Sequence, residues 1–438
     1  MKKLFLLVLL IPMMAIGQGS VYSVDGVASK KSIVREWEGT QSVVYNEYGT
    51  SDRAFLLVDL ATNQALSADL PHYVNVNDFE ILKWTVYFGG LIYGYPFVGY
   101  FDIASVFAGM ADFQYYFFRP SGTDYMVEVM RLEAFPVVDG THVVATGSSV
   151  SGTTACRFVI DMSFDMNNSP FVIDVRHNEA GIDYFDDVAV LDDYVATIDH
   201  KHQSEGHYLR LFDKPAMIGA SIFTTLTYQT IHHYSSWDYL PQSAFLVTAL
   251  GGNDFATVCY AQSGQVYGDM ISIYRQTAAG VPTLQYRGYV DLGATLDSSW
   301  ELKEFVYDAS DNALYLLQRL DSVVSRGNNG TLTKIDLTTL PYQATGYYTS
   351  LTTSMSADDC SSTPYNVLAS GSLPSGELAL LAHSDLTGPC EASHPMTMKP
   401  IGAQDFEFDR DLVSLSYRFS AFSSTPIITP QIITINCN

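Results

Sequence analysis

The feature that most constrains this chain is a strand ending that keeps returning, an aspartate set between apolar residues. It appears as Val58-Asp59-Leu60, Phe101-Asp102-Ile103, Ile160-Asp161-Met162, Phe212-Asp213 and Ile335-Asp336-Leu337. Around it, apolar and polar residues alternate with period two, as in Val413, Leu415, Tyr417 and Phe419 against Ser414, Ser416 and Arg418. That alternation is the signature of half-buried β-strands, and long 3.6-residue periodicity is nearly absent. The chain reads as all-β. From Asp102 to Asp336 the signature advances in four steps of about 58 residues, with Arg275 at the one position where aspartate is replaced.

Each step has the same internal order: a strand, a turn, a second strand, a variable loop, then the Asp-ending strand. One unit runs from Asn77-Asp78-Phe79-Glu80-Ile81 through Thr85 to Phe88 and on to Val98 to Ile103. Others run through Tyr184 to Val190, Tyr194 to Ile198 and His207 to Phe212, and through Glu304 to Tyr307, Ala313 to Leu317 and Thr331 to Leu337. Tyr125 to Leu132 and Gln285 to Asp291 are candidates for a fourth strand. About seven such units fit the 421 residues after a 17-residue leader. Four antiparallel strands repeated this often predict a β-propeller, which protects its sheet edges by radial closure. Seven blades are expected, with six or eight as alternatives and a pair of β-sandwiches as the other architecture. Residues 18–438 would form the single domain, with N-terminal strands within 32–60 closing the ring against 405–438.

Asn77-Asp78-Phe79, Val86-Tyr87-Phe88-Gly89-Gly90 and Gly99-Tyr100-Phe101-Asp102-Ile103 together resemble blades of uncharacterised secreted β-propeller-like repeat proteins of Bacteroidetes-type bacteria. The resemblance is clearest over 77–103 and implies fold and compartment, with no agreed activity or catalytic residues. The Gly-His…Trp-Asp repeat and the Ser-x-Asp-x-Gly-x-Thr-Trp box of other propellers are missing from the sequence.

Residues 1–17 read as a signal peptide: Lys2 and Lys3, the apolar run Leu4 to Met14, and the small-x-small site Ala15-Ile16-Gly17. Export to the periplasm, cell surface or medium is expected. Trp84 to Phe101 lacks formal charge, but Gly89, Gly90, Gly94, Pro96 and Gly99 break it into two strands and a turn, so no transmembrane segment is expected. Asp and Glu outnumber Lys and Arg by 47 to 23, a net charge of −24, which disfavours nucleic acid as a partner.

If each unit is a blade, the second-to-third-strand loops share one face with the loops entering each first strand. That variable face would include 89–97, 147–155, 199–206, 262–268, 319–330 and 384–395. It carries exposed-aromatic candidates for ligand stacking, Tyr93, Tyr95, Trp237 and Tyr267. Cys360 and Cys390 fall on the same face and are the disulfide candidates, whereas Cys156 and Cys259 sit in apolar alternation and read as buried thiols. His200, His202 and His207 form the metal candidate: a tight turn would set His207 opposite His202 at zinc- or copper-binding separation. Acidic clusters at Asp183, Asp186, Asp187, Asp192, Asp193, Asp358 and Asp359 offer oxygen ligands for calcium, although turn chemistry explains Asp192-Asp193 more simply. No cofactor is required by any motif.

No Gly-x-Ser-x-Gly, His-Glu-x-x-His or phosphate-binding glycine loop occurs. The leading expectation is therefore a non-catalytic binding or scaffold module whose variable face takes a protein or glycan. The alternative is a propeller-type carbohydrate-active enzyme using carboxylates or histidines near a central channel.

Overall fold

A computed structural model describes residues 20–37, 41–49, 52–120, 124–151, 154–167, 170–178, 183–201, 207–215, 229–234, 238–239, 245–263, 266–276, 280–291, 300–320, 330–340, 342–349, 356–360, 367–373, 375–382, 391–400, 404–407, 412–414 and 417–437. The leader lies outside them. The described chain is all-β apart from short helical turns, and it is arranged in several antiparallel sheets.

After β1 (Ser20–Ala28), successive strands pair with their neighbours in sequence, as short turns between alternating segments dictate. The first run is β2 (Lys31–Glu36), β3 (Gln41–Tyr48), β4 (Asp52–Asp59) and β5 (Gln64–Leu70). The second is β6 (Val74–Leu82), β7 (Thr85–Ile92), β8 (Tyr95–Asp102) and β9 (Phe113–Pro120), with α1 (Ile103–Phe107) between the last two. β10 (Asp124–Val137), β11 (Gly140–Ser151), β12 (Thr154–Asp165) and β13 (Pro170–Asn178) form the next run, followed by β14 (Asp183–Val190), β15 (Tyr194–Lys201), β16 (His207–Asp213) and β17 (Gln229–Tyr234). Short β18 (Asp238–Tyr239) and β19 (Phe245–Gly251) both pair with β20 (Asp254–Ser263), which leads to β21 (Val266–Arg275) and β22 (Thr283–Asp291). β23 (Trp300–Asp308), β24 (Ala313–Leu320), β25 (Gly330–Asp336) and β26 (Gln343–Thr349) repeat the pattern. Finally β27 (Ser356–Cys360), β28 (Val367–Ser372) and β29 (Glu377–Ala382) take their fourth strand from the start of the chain, β1.

The C-terminal segment then visits the outer strands in reverse order. β30 (Glu391–Pro400) pairs with both β22 and β26, β31 (Gln404–Glu407) with β17, β32 (Leu412–Ser414) with β13, β33 (Tyr417–Ser424) with β9, and β34 (Ile428–Cys437) with β5 and β1. It covers backbone edges that would otherwise stand open to strand addition. Asp405-Phe406-Glu407 is thus part of an added outer strand, not the start of another repeat.

The recurrent aspartates close third strands: Asp59, Asp102, Asp213 and Asp336 are the last residues of β4, β8, β16 and β25. Their carboxylates accept main-chain N–H groups of the turn that follows, from Ala61 (2.9 Å), Ser105 (3.2 Å) and Thr338 (2.7 Å) in three of the four cases. In the third run this role passes to Asp165, which accepts from Asn167 at 2.8 Å. Asp161 instead lies buried within β12, 3.0 Å from Nδ1 of buried His142. The segment Gln285 to Asp291 is a fourth strand as expected, but Tyr125 to Leu132 belongs to β10, the first strand of its run.

Between the sheets lie separate apolar cores. The one around β2–β9 is aromatic, with Tyr45, Phe55, Phe79, Phe88, Phe97, Phe101, Phe113 and Tyr115 all buried. Phe55 sits at its middle, 5.1–6.2 Å from the rings of Phe79, Phe88, Phe101 and Phe113.

Candidate functional site

The first strands of the runs converge. β2 touches β6, β6 touches β10, and contacts continue through β14, β19, β23 and β27 back to β2. Where these strands meet, five carry the same irregularity, a shift of pairing register immediately before a charged residue. The shifts precede Asp78, Arg131, Asp187, Glu304 and Asp359. An extra residue in one strand breaks the alternation and re-aims the side chain that follows. Here it places charge together with Arg35 of β2.

Arg35 lies 2.8 Å from both Asp78 and Asp359 and 3.9 Å from Glu304. Arg131 lies 3.1 Å from Glu304, 3.8 Å from Asp78 and 4.0 Å from Asp187. The same carboxylates accept main-chain N–H groups from the neighbouring first strand: Asp359 from Val34 (2.7 Å), Asp78 from Leu132 (2.9 Å), Asp187 from Val247 (2.8 Å) and Glu133 from Val190 (2.6 Å). Each such bond ties one run of strands to the next with a charge-assisted contact.

Two arginines face a larger number of acids, and burial decides how the deficit is met. Burial opposes the charge on both guanidiniums, yet Asp359, Asp78 and Glu304 around Arg35, and Glu304, Asp78 and Asp187 around Arg131, outweigh it and hold both above the usual arginine range. Burial lifts the Asp187 carboxyl to about 7 against the pull of Arg131. It lifts Glu133 well above the usual range, with Glu80 adding to the rise. Asp359 rises too, through burial and then its hydrogen-bonded neighbour Glu304, despite Arg35. Glu304 goes the other way, because Arg131 and Arg35 overcome its burial.

Beside this cluster is a cavity of about 410 Å³. Its lining includes Glu36, Glu80, Glu133, Thr248 and Tyr307 together with the two arginines. In β6, β10 and β23 the lining runs from the register shift toward the turn leading to the second strand. Glu80 has a side chain 35% exposed, and burial of the rest lifts its carboxyl to about 7. Chemically, the cavity lining offers carboxyls raised by burial, Glu80, Glu133 and Asp187, beside Glu304, which the two arginines hold low.

A second candidate lies at the opposite ends of the strands. The two-residue turn between β7 and β8 is Tyr93-Gly94, with φ of 51° and 78°. Positive φ at both positions is the hairpin turn that favours Asn-Gly. Positive φ is also taken by Lys83 (59°) in the two-residue turn before β7 and by Asn63 and Asn312 at the ends of four-residue turns, and here by a bulky ring. Tyr93 stacks on Tyr73 at 4.0 Å and 16°, and its side chain remains 62% exposed. Burial, followed by the neighbouring Tyr93 hydroxyl, pushes the Tyr73 phenol up to about 12. Phe422 of β33 lies 6.1 and 6.5 Å from the two rings. Tyr95 is half-buried against Phe117, with the Arg119 guanidinium 4.8 Å over its ring.

Of the other sequence candidates, Trp237, His202 and Cys390 lie outside the described residues. Tyr267 is placed at the start of β21, opposite Gln262, and Cys360 ends β27. His207 pairs in register with His200 across β15 and β16, and the expected position of His202 falls outside the described residues. Among the described residues no group of three or more His, Cys, Asp or Glu could hold a metal ion. Asp187 and Asp359, considered for calcium, belong to the arginine cluster, and Asp193 accepts from Asn253 in a turn (2.7 Å). Cys259 is a buried free thiol, its ionisation suppressed by burial. No described helix is long and apolar enough to cross a membrane.

The central cluster escaped the sequence reading. Its signal is present in Asn77-Asp78-Phe79-Glu80, Met130-Arg131-Leu132-Glu133 and Lys303-Glu304-Phe305, where a charge interrupts each first strand at the same position. Comparison with protein-family models and with curated proteins returns no match.

Proposed function

We propose that the chain is an exported, seven-bladed β-propeller that acts as a non-catalytic binding or scaffold module through the face carrying the second-to-third-strand turns. The runs β2–β5, β6–β9, β10–β13, β14–β17, β19–β22, β23–β26 and β27–β29 with β1 supply seven four-stranded units. The cyclic contact of their first strands supports radial closure. Export rests on the leader at 1–17.

One observation carries the non-catalytic reading: the innermost carboxylates are engaged by Arg35, Arg131 and the N–H groups of Val34, Leu132 and Val247. Groups held this way fasten neighbouring strands and lack the freedom that proton transfer to a substrate needs. The test is a binding and turnover screen with purified full chain against glycans and peptides. Binding without turnover is expected; turnover would overturn the reading.

A second reading, a carbohydrate-active enzyme, is favoured by Glu80 and Glu133, two carboxyls with raised pKa at the wall of the 410 Å³ cavity. It requires glycoside cleavage that Glu80→Gln abolishes.

A further inference from the structure

We infer that the Tyr73–Tyr93 stack is a subsite for one neutral pyranose ring of a glycan. The inference rests on the binding-module reading and names the ligand class for one part of that face.

The turn backbone makes the first point. Tyr93 occupies a position with φ 51° where asparagine would relieve the conformational cost. Stacking on Tyr73 at 4.0 Å holds one face of the ring, and that leaves the 62% exposure to the opposite face and edge. A ring fixed on one side and bare on the other is a rigid, flat surface of one-pyranose size.

Polarity then selects the ligand. The π face is negative and attracts the polarised C–H groups along one side of a sugar ring. The hydroxyls of Tyr73 and Tyr93 have donor and acceptor capacity for sugar hydroxyls. The chain's charge of −24 disfavours uronic acids, sulfated glycans and phosphates, leaving neutral sugars. Beside it, Phe117 and Phe422 pack against the core and the Arg119 guanidinium lies over Tyr95 and Phe117 at 4.8 and 5.0 Å, so the subsite is limited to one ring.

The test uses the full chain, calorimetry and saturation-transfer NMR with neutral gluco-, manno- and xylo-oligosaccharides. At least one should bind, and Tyr93→Asn should weaken it about tenfold or more, the loss of one aromatic stack. Tyr93→Phe should retain most of the affinity. Because asparagine suits the turn, the Tm of Tyr93→Asn should be unchanged or higher, which separates lost contact from lost fold. Unchanged affinity in Tyr93→Asn overturns the subsite while leaving the module reading intact. So does binding of oligo-lysine or another protein in place of any sugar. Turnover of a sugar with no retained binding overturns both.

Discussion

The charged centre and the tyrosine ledge occupy opposite ends of the same strands and meet opposite physical demands. In β6, Asp78 and Glu80 follow the register shift toward the first turn, whereas Tyr93 caps the other end of β7. At the centre every charge is enclosed and must be answered by another group, so Asp78 receives Arg35 at 2.8 Å and Leu132 N–H at 2.9 Å. At the ledge a strained residue leaves its ring bare although nothing in the turn requires one there. Groups that must be satisfied to fold are poor candidates for a partner. Groups left unsatisfied at some conformational cost are better ones, and the contrast can be broken by mutation.

The largest effect should come from the centre. Arg131→Met removes the partner 3.1 Å from Glu304 and 3.8 Å from Asp78 and leaves enclosed carboxylates uncompensated. Losing one member of a buried ion pair typically costs about 3–5 kcal/mol. Urea unfolding should show that loss, with binding at the ledge unchanged in the protein that remains folded. A cost below about 1 kcal/mol, the range of exposed pairs, would mean that the cluster does not fasten the strands.

Next in size is the pH dependence of the same cluster. The Asp187 carboxyl has a folded pKa of about 7, above its unfolded value, so the folded protein binds the extra proton between about pH 4 and 7. Its contribution is therefore complete below the unfolded pKa and is lost as pH rises through 7. Stability should fall from pH 5 to pH 8 by up to a few kcal/mol. Asp187→Asn, which keeps an oxygen for the Val247 N–H, should flatten that slope in denaturation series at several pH values. A stability curve that rises over this window would reverse the assignment.

These central residues also show where the sequence stopped being legible. The third strands could be read because alternation runs unbroken to an aspartate whose carboxylate caps the next turn, a local interaction spanning two or three residues at Asp59, Asp102 and Asp336. The first strands at 77–81, 184–190 and 304–307 could be read too and are β6, β14 and β23, but the register shift before Asp78, Arg131 or Glu304 breaks the period that tells which side chains point inward. Their partners are also remote: Arg35 and Asp359 are 324 residues apart, and only closure of the chain brings them together. Tyr93 lies in the stretch 89–97 read as a variable loop, of which β7 and β8 take all but the Tyr93-Gly94 turn.

A smaller, local effect should follow from Asp102→Ala. The Asp102 carboxylate caps α1 by accepting the Ser105 N–H at 3.2 Å, and loss of such a cap costs about 1 kcal/mol. The change lies at the end of β8 that leads into α1, remote from Tyr93, so thermal denaturation should register it and ledge binding should not.

The smallest expected stability change carries the sharpest distinction. Tyr93→Asn exchanges a ring at φ 51° for the residue type the chain already uses at Asn63 and Asn312. It loses the stack on Tyr73, worth about 0.5–1.5 kcal/mol beyond burial, and regains a conformational cost of about 1 kcal/mol. The two terms nearly cancel, so the net change should lie within about 1 kcal/mol of zero, measured by thermal denaturation. A loss of 2 kcal/mol or more would make Tyr93 a structural residue like those at the centre and erase the contrast between the two regions. Near-neutral stability with lost sugar binding would instead leave a ring that the fold can do without and the ligand cannot.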